Sequence, residues 1–359
     1  MTEAERTASS GDGGGRGARR APGTSGREEA PARRGEGAEE DRCPWPGMAE
    51  EVRESLLREP RELSPKFFYD HRGSELFERI TRLPEYYLTD AEVRILEGPA
   101  RRWIREEAPG SLVELGAGSA RKTRILLDAL EASEARALYV PVDVSRDFLD
   151  ASARRLRREY PDLRVEPVVA DISAGLELDV VLERPAVFAL LGSTIGNFPS
   201  PRDRELLERV ATLTAPGDAF LLGADLRPGS GKSRSRVLQA YDDSEGVTAA
   251  FNRNVLRVLN RWLGTGFEPR AFRHRAVYDD ARSRVEIWLE AERAQEARLP
   301  DGTVLRIEAG EGIRTEVSCK YDRGAVEELF ASAGYHLDQW WVDPEGLYAL
   351  ALGRRVKAA

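Results

Sequence analysis

Two rhythms of apolar residues run along this chain, and the place where one replaces the other divides it. Short continuous apolar runs at Ser111–Leu115, Ala137–Val144, Val165–Asp171, Ala186–Gly192 and Ala219–Asp225 alternate with amphipathic segments at Arg121–Leu130, Arg146–Glu159 and Arg202–Leu213. The runs suit strands buried on both faces, and the segments between them suit helices with one apolar stripe. This alternation, with short connections, predicts an α/β sheet of parallel strands covered on both sides. Right-handed crossovers then carry the C-terminal strand ends to one edge, where such sheets bind ligands.

Beyond Asp225 the rhythm changes. Arg227–Ser233 reads as a loop, and Ser235–Leu263 as one long helix. Period-two alternation follows at Phe267–Tyr278, Arg284–Ala291, Gly302–Glu308 and Ile313–Lys320, so the segment looks like an α+β insertion. A helix at Arg323–Ala333 and strands at His336–Val342 and Leu347–Leu352 then resume the main sheet as a closing antiparallel hairpin. Met1 to about Arg42 has almost no large apolar side chains, and is expected to be a disordered tail. Order is expected to begin near Trp45 to Met48, ahead of a helical pattern at Ala49–Leu57.

Composition removes several classes of function. A net charge of -8 argues against nucleic acid as the main partner, and no apolar run approaches the roughly 20 residues of a membrane span. With only Cys43 and Cys319, and with His71, His274 and His336 far apart, there is no disulfide framework and no metal-ligand spacing. The expectation is a cytoplasmic monomer acting on a small molecule, without metal, membrane or nucleic acid.

The candidate chemistry sits at the strand ends. Leu112–Thr123 reads as a strand, a Gly116-Ala117-Gly118 turn and a helix start, a geometry that brings backbone close to a ligand. Arg121 stands where a dinucleotide fingerprint needs a small residue and where a P-loop needs Gly, so both of those readings fail. Glu114 would repel a pyrophosphate and suits a cationic nucleoside such as S-adenosylmethionine. Asp143, ending the second strand, can accept both ribose hydroxyls, as it could for other ribose cofactors too. Asp171, ending the third, can accept an adenine amine, and a small-residue turn at Gly192–Phe198 follows the fourth. Lys122, placed in the first helical turn, opposes the helix dipole, which a contact with a methionine carboxylate would explain. Together these positions meet the requirements of a class I methyltransferase, a Rossmann-like doubly wound sheet.

Further motifs resemble a family. Lys66–Asp70, Gly73–Phe77, Leu83–Tyr87, Glu114–Ser119, Gly192–Phe198, Ala240–Asp243, Phe251–Asn254 and Thr315–Lys320 are similar, in order from about Leu63 to Leu352, to the histidine-specific Nα-methyltransferases of ergothioneine biosynthesis. The resemblance implies three successive methyl transfers from S-adenosyl-L-methionine to the α-amine of L-histidine, giving hercynine. It assigns Tyr69, Gly116, Lys122, Asp143 and Asp171 to the cofactor. Phe77, Tyr86, Asn197 and Tyr241 would hold the amino-acid end of the substrate, with Tyr86, Asn197 and Tyr241 as the catalytic candidates. Glu316 and Ser318 would hold the imidazole, and Ile287, where family members often carry Met, would line that pocket. Fungal N-methyltransferases of tryptophan derivatives share part of the pattern, so another aromatic amino acid is the alternative substrate. The implied organisation is a tail at 1–44, a substrate-binding α+β subdomain at 45–89 and 229–320, and a cofactor-binding domain at 90–228 and 321–359.

The residue types suit the chemistry. A sulfonium donor leaves as a neutral thioether, so no general acid is needed; alignment and an unprotonated amine are. The Asn197 amide offers donors and an acceptor, Tyr86 and Tyr241 can donate to a carboxylate, and a buried Glu316 would reject rings without an N–H. Cys319 and Trp340-Trp341 read as packing residues.

Overall fold

A computed structural model describes residues 43–356 apart from Pro44, Pro46, Ser119, 133–136 and Ser230. Apart from Cys43, the tail expected over 1–44 lies outside the described residues. Four helices come first, α1 (Met48–Leu56), α2 (His71–Ile80), α3 (Tyr87–Ile95) and α4 (Arg101–Glu107). The alternating part follows as β1 (Ser111–Leu115), α5 (Arg124–Glu131), β2 (Leu138–Asp143), α6 (Arg146–Glu159), β3 (Arg164–Val165), β4 (Val168–Val169), β5 (Ala186–Leu190), α7 (Arg202–Leu213) and β6 (Ala219–Asp225). The insertion contains α8 (Arg234–Gln239), α9 (Val247–Leu263), β7 (Phe272–Asp279), β8 (Arg284–Ala291), β9 (Gln295–Arg298), β10 (Val304–Ile307) and β11 (Gly312–Cys319). The chain closes with α10 (Arg323–Ser332), β12 (Tyr335–Val342) and β13 (Tyr348–Arg355).

The main sheet has the order β12-β13-β6-β5-β1-β2-β3, with β4 beside β2. Strands β3, β2, β1, β5 and β6 run parallel, while β13 pairs antiparallel with β6 and with β12. This is the class I methyltransferase arrangement of a doubly wound sheet, and the strand order reverses between β1 and β5. One core cluster packs α3, α4 and α5 against one side of the sheet, and a second packs α7 and α10 against the other. A third joins Trp45, α1, Phe67, Phe68 and α2 to α9 and the insertion's strands.

Three expected elements differ, the first two for a local reason. The third strand is two short pieces, because Pro167 between them has no N–H to give a ladder. The long helix is broken into α8 and α9. Asp243 accepts the Val247 and Thr248 N–H groups at 2.9 and 2.7 Å, and so starts a new helix rather than continuing the old one. The first helix after β1 begins at Arg124, so Lys122 lies ahead of it and not in its first turn. The hairpin of β9 and β10 adds Gln295–Arg298, which the alternation had not shown.

One buried acid ties the N-terminal helices to the sheet. Glu92 is fully buried in the apolar stripe of α3, beside Leu88, Ala91 and Ile95. Its Oε1 accepts the Gly192 N–H and the Tyr348 hydroxyl, both at 2.7 Å, and its Oε2 pairs with Lys122. This placement depends on Gly223 in β6, where an added Cβ would overlap both the Tyr348 hydroxyl and Glu92 Oε1. Gly223→Ala is therefore expected to cost about 1–3 kcal/mol of stability in urea unfolding, the usual range for overpacking. An unchanged midpoint would show that Glu92 and Tyr348 can make room.

Candidate active site

The strand ends meet at one cavity of about 860 Å³. On one side is the turn after β1, where Gly116 and Gly118 have φ of 71° and 51°, the left-handed region that glycine enters without strain. Asp143 pins this turn by accepting the Gly118 N–H at 3.0 Å, and its other oxygen accepts the Ser145 N–H at 3.1 Å. A carboxylate has about four acceptor sites, so lone pairs remain for a ribose. Asp171 accepts from Ser173 N and Oγ at 2.8 and 2.5 Å and from Lys66 Nζ at 2.7 Å. Burial pushes the Asp171 carboxyl up, but the bonds from Lys66 and Ser173 outweigh it and hold the group below its ordinary value. Lys66 also pairs with Glu51 at 2.8 Å, so the segment before α2 is tied across the cavity to the sheet edge.

Glu114 and Lys122 are more engaged than their sequence positions suggest. Glu114 borders the cavity but is 3% exposed, and its oxygens accept the Thr123 and Tyr139 hydroxyls at 2.6 and 2.5 Å. Its carboxylate therefore shapes the wall and field of the site while its oxygens are bonded to the protein. Lys122 is paired to Glu92, which gives a reason for a lysine here independent of the helix dipole.

The other side of the cavity is aromatic. Tyr69, Phe77 and Tyr86 stack edge to face in sequence, with ring centroids 5.6 and 6.3 Å apart, and Phe251 packs behind Tyr69 and Phe77. The Tyr69 phenol is pushed up by burial, then by the carboxylates of Glu316 and Asp143. Asn197 closes the short turn Thr194–Asn197, which packs against β11. Among the described residues the Tyr69 and Tyr86 hydroxyls, the Asn197 amide and the Glu316 carboxylate have no hydrogen-bond partner, and all four residues line the cavity.

A bulge aims Glu316. The register of β11 against β8 skips between Arg314 and Glu316, leaving Thr315 to turn inward and donate to Asn252 Oδ1 at 2.7 Å. Glu316 and Ser318, two apart, then both reach the cavity. Burial pushes the Glu316 carboxyl up to about 7, with Lys320 pulling in the other direction. Tyr241 enters from the break between α8 and α9, and its hydroxyl lies 2.8 Å from Ser318 Oγ. Its backbone is fixed by His274, whose Nε2–H donates to the Tyr241 carbonyl at 2.8 Å while Nδ1 accepts from Asn252 at 2.9 Å. Burial pushes the His274 imidazole down, in keeping with that neutral tautomer.

The cavity brings together Tyr69, Phe77, Tyr86, Gly116, Lys122, Asp143, Asp171, Asn197, Tyr241, Glu316 and Ser318. It does not include Ile287. That side chain lies cross-strand from Glu316, is 2% exposed, and belongs to the core cluster that contains Tyr241. Ile287 therefore packs behind the cavity wall on β8, in the same cluster as Tyr241.

Comparison with known proteins decides the family. The model of a family described as histidine-specific, S-adenosylmethionine-dependent methyltransferase matches residues 48–355. The chain belongs to that family. It is 42% identical to a histidine N-alpha-methyltransferase of Mycobacterium tuberculosis over 311 residues, covering 86% of this chain and 95% of that one. A histidine N-alpha-methyltransferase of Mycolicibacterium smegmatis is 42% identical over 314 residues, with the same coverage. Ergothioneine biosynthesis protein 1 of Neurospora crassa is 31% identical over 304 residues, 82% of this chain and 34% of that one.

As a histidine-specific methyltransferase the protein uses S-adenosylmethionine, and the strand-end side fits that group. Asp143 keeps open lone pairs, the glycine turn leaves backbone uncovered, and no cluster that could hold a metal occurs among the described residues. Glu92, Lys66, Asp225 and Lys320 take part as well, although neither the strand-end pattern nor the motifs give them a role. Glu92 had a visible signal, an acid inside an apolar helical stripe, and Asp225 had the same signal as Asp143, a carboxylate ending a strand.

Glu114 gives the site a pH signature. Burial raises its carboxyl to about 7, above the ordinary 4.5, with the Thr123 and Tyr139 bonds limiting the rise. Between these values the folded state binds more protons than the unfolded one, so this group's contribution to stability falls as pH rises through the window. The full effect is on the order of 3 kcal/mol. In urea unfolding at about pH 5 and about pH 8, Glu114→Gln should flatten that fall. A difference between the two pH values equal to that of the parent protein would remove the role.

Proposed function

We propose that this protein transfers methyl groups from S-adenosylmethionine to the α-amine of L-histidine, three in succession, to give hercynine. The observation that carries the substrate is Glu316, an acid without a protein partner at the same cavity as the strand-end groups. An unpaired acid in a cavity wall favours a ligand that hydrogen-bonds to it, and a ring lacking an N–H would leave it unpaired. The relatives named as histidine methyltransferases agree with this.

In this reading Tyr69, Gly116, Lys122, Asp143 and Asp171 hold the cofactor. Phe77, Tyr86, Asn197 and Tyr241 hold the amino-acid end, and Glu316 and Ser318 the ring. Bound S-adenosylmethionine supplies an electrophilic methyl on a sulfonium. The chain's own task is alignment. Asn197, with a free donor and acceptor, can grip a carboxylate and an amine at once, while the Tyr69, Phe77 and Tyr86 rings keep water from the amine. Burial keeps the Tyr86 and Tyr241 phenols protonated, so they act as donors. Each early transfer needs the amine proton removed first, since an α-amine with pKa near ~8 is largely protonated at neutral pH. Residues 45–89 with 229–320 form the substrate-binding part, and 90–228 with 321–359 the cofactor-binding part; the packing of α1 and α2 against α9 and the insertion's strands supports this division.

Mass spectrometry after incubation with S-adenosylmethionine and single amino acids tests the proposal. Histidine should gain three methyl groups, and methylation of tryptophan with none on histidine would replace this reading with the alternative. For the ring contact, Glu316→Ala should raise the histidine KM at least about tenfold, the scale of a lost charge-assisted hydrogen bond. Cofactor affinity should stay within about twofold. An unchanged KM removes the imidazole role from Glu316.

A further inference from the structure

Behind the substrate end of the cavity lies a buried ionic network that touches two of its hydroxyls. Asp225, fully buried at the end of β6, pairs through one oxygen with Lys232 and through the other with Lys320 at 2.7 Å. The Tyr87 hydroxyl reaches both oxygens at 3.0 Å. The Lys320 side chain is 0% exposed, and its ammonium also donates to the Tyr241 hydroxyl at 2.7 Å and to Ser318 Oγ at 2.8 Å. An ammonium has three N–H groups and no acceptor, so Asp225, Tyr241 and Ser318 use all three.

That closes the proton inventory of the two hydroxyls. Their oxygens are 2.8 Å apart, so one of their two protons lies between them. Neither proton can turn back toward Lys320, which accepts nothing. One donor is left for the cavity. We propose that Lys320 is a positioning residue that makes Tyr241 and Ser318 a single-donor pair, so that a carboxylate taking the Tyr241 proton turns Ser318 into an acceptor for a ring N–H.

The sequence of hydrogen bonds follows from counting. When Tyr241 donates to a carboxylate, Ser318 must donate to Tyr241, and its second lone pair, the first being held by Lys320, faces the cavity. Ser318 then selects a ring that presents an N–H, beside Glu316, which can partner a second ring nitrogen. The two ends of an amino acid are thus read by one coupled pair. This inference rests on the proposed reading that Tyr241 and Ser318 hold the two ends of histidine. Lys320 itself touches neither end.

The test uses the full chain with Lys320→Met, which keeps the aliphatic stem and removes the donors. The histidine KM should rise about tenfold or more, while kcat changes less and cofactor affinity by calorimetry stays within about twofold. Combined with Ser318→Ala, the loss should be close to that of the worse single variant, because both act through one pair. An unchanged KM for Lys320→Met, additive losses, or an equal loss of cofactor affinity overturns the proposal. If Lys320→Met does not fold, the cycle of Tyr241→Phe and Ser318→Ala decides: strong non-additivity in histidine KM supports the pair, and additive losses overturn it. Glu316→Ala separates the two levels. A raised KM there with none in Lys320→Met sinks only this inference, whereas no change in either sinks the substrate reading as well.

Discussion

The site depends on one buried carboxylate, Asp225, and on its being fully paired. Burial pushes this carboxyl up, and the ammonium groups of Lys320 and Lys232 outweigh that and hold it below its ordinary value. Burial in turn pushes Lys232 down to about 8. A charge withdrawn from water is tolerated only when its partners are in place, and removing one partner of such a pair costs about 3–5 kcal/mol. The partners come from separate parts of the chain: Tyr87 begins α3, Lys232 precedes α8, and Lys320 follows β11. The Asp225 N–H also donates to Ser193 Oγ at 3.0 Å, beside the turn that carries Asn197. The insertion, the N-terminal helices and the sheet edge can satisfy this carboxylate only by coming together.

Around that knot the carboxylates divide into bonded and open. Glu92, Glu114 and Asp225 are buried and have both oxygens occupied by protein donors. They hold the walls. Asp143 keeps part of its acceptor capacity, and Glu316 keeps all of it. The contrast matters because an unpaired polar group costs free energy until a ligand satisfies it. In the proposed reading, specificity is thereby concentrated where the protein leaves a group unsatisfied.

The aromatic and polar layers serve the same alignment. Phe251 packs behind Tyr69 and Phe77, while its neighbour Asn252 joins Thr315, Trp288 and His274 by hydrogen bonds. Asn254, two further on, donates to Asp70, which caps α2 through the Gly73 N–H, both at 2.7 Å. The segment Phe251–Asn254 thus orders both sides of the cavity without lining it. Rigid placement of this kind is what a displacement reaction without a general acid asks of a protein.

The parallel strands, the glycine turn and the carboxylates at Asp143 and Asp171 were legible in the chain before any fold was known. Each of these follows from local periodicity or from a residue type at a strand end, which neighbouring residues alone can express. Motif order also named the donor and acceptor, since Tyr86, Asn197, Tyr241 and Glu316 sit in recognisable segments. The pairing of Lys122 with Glu92, of Lys66 with Asp171, and of Lys320 with Asp225, Tyr241 and Ser318 came only from the folded chain. Folding also brought Tyr241 to the cavity beside Ser318 and packed Ile287 in the core cluster that holds Tyr241. The physical reason is common to these. Whether a charge is buried, and what it then binds, is settled by groups distant in sequence, so no window of sequence contains the answer.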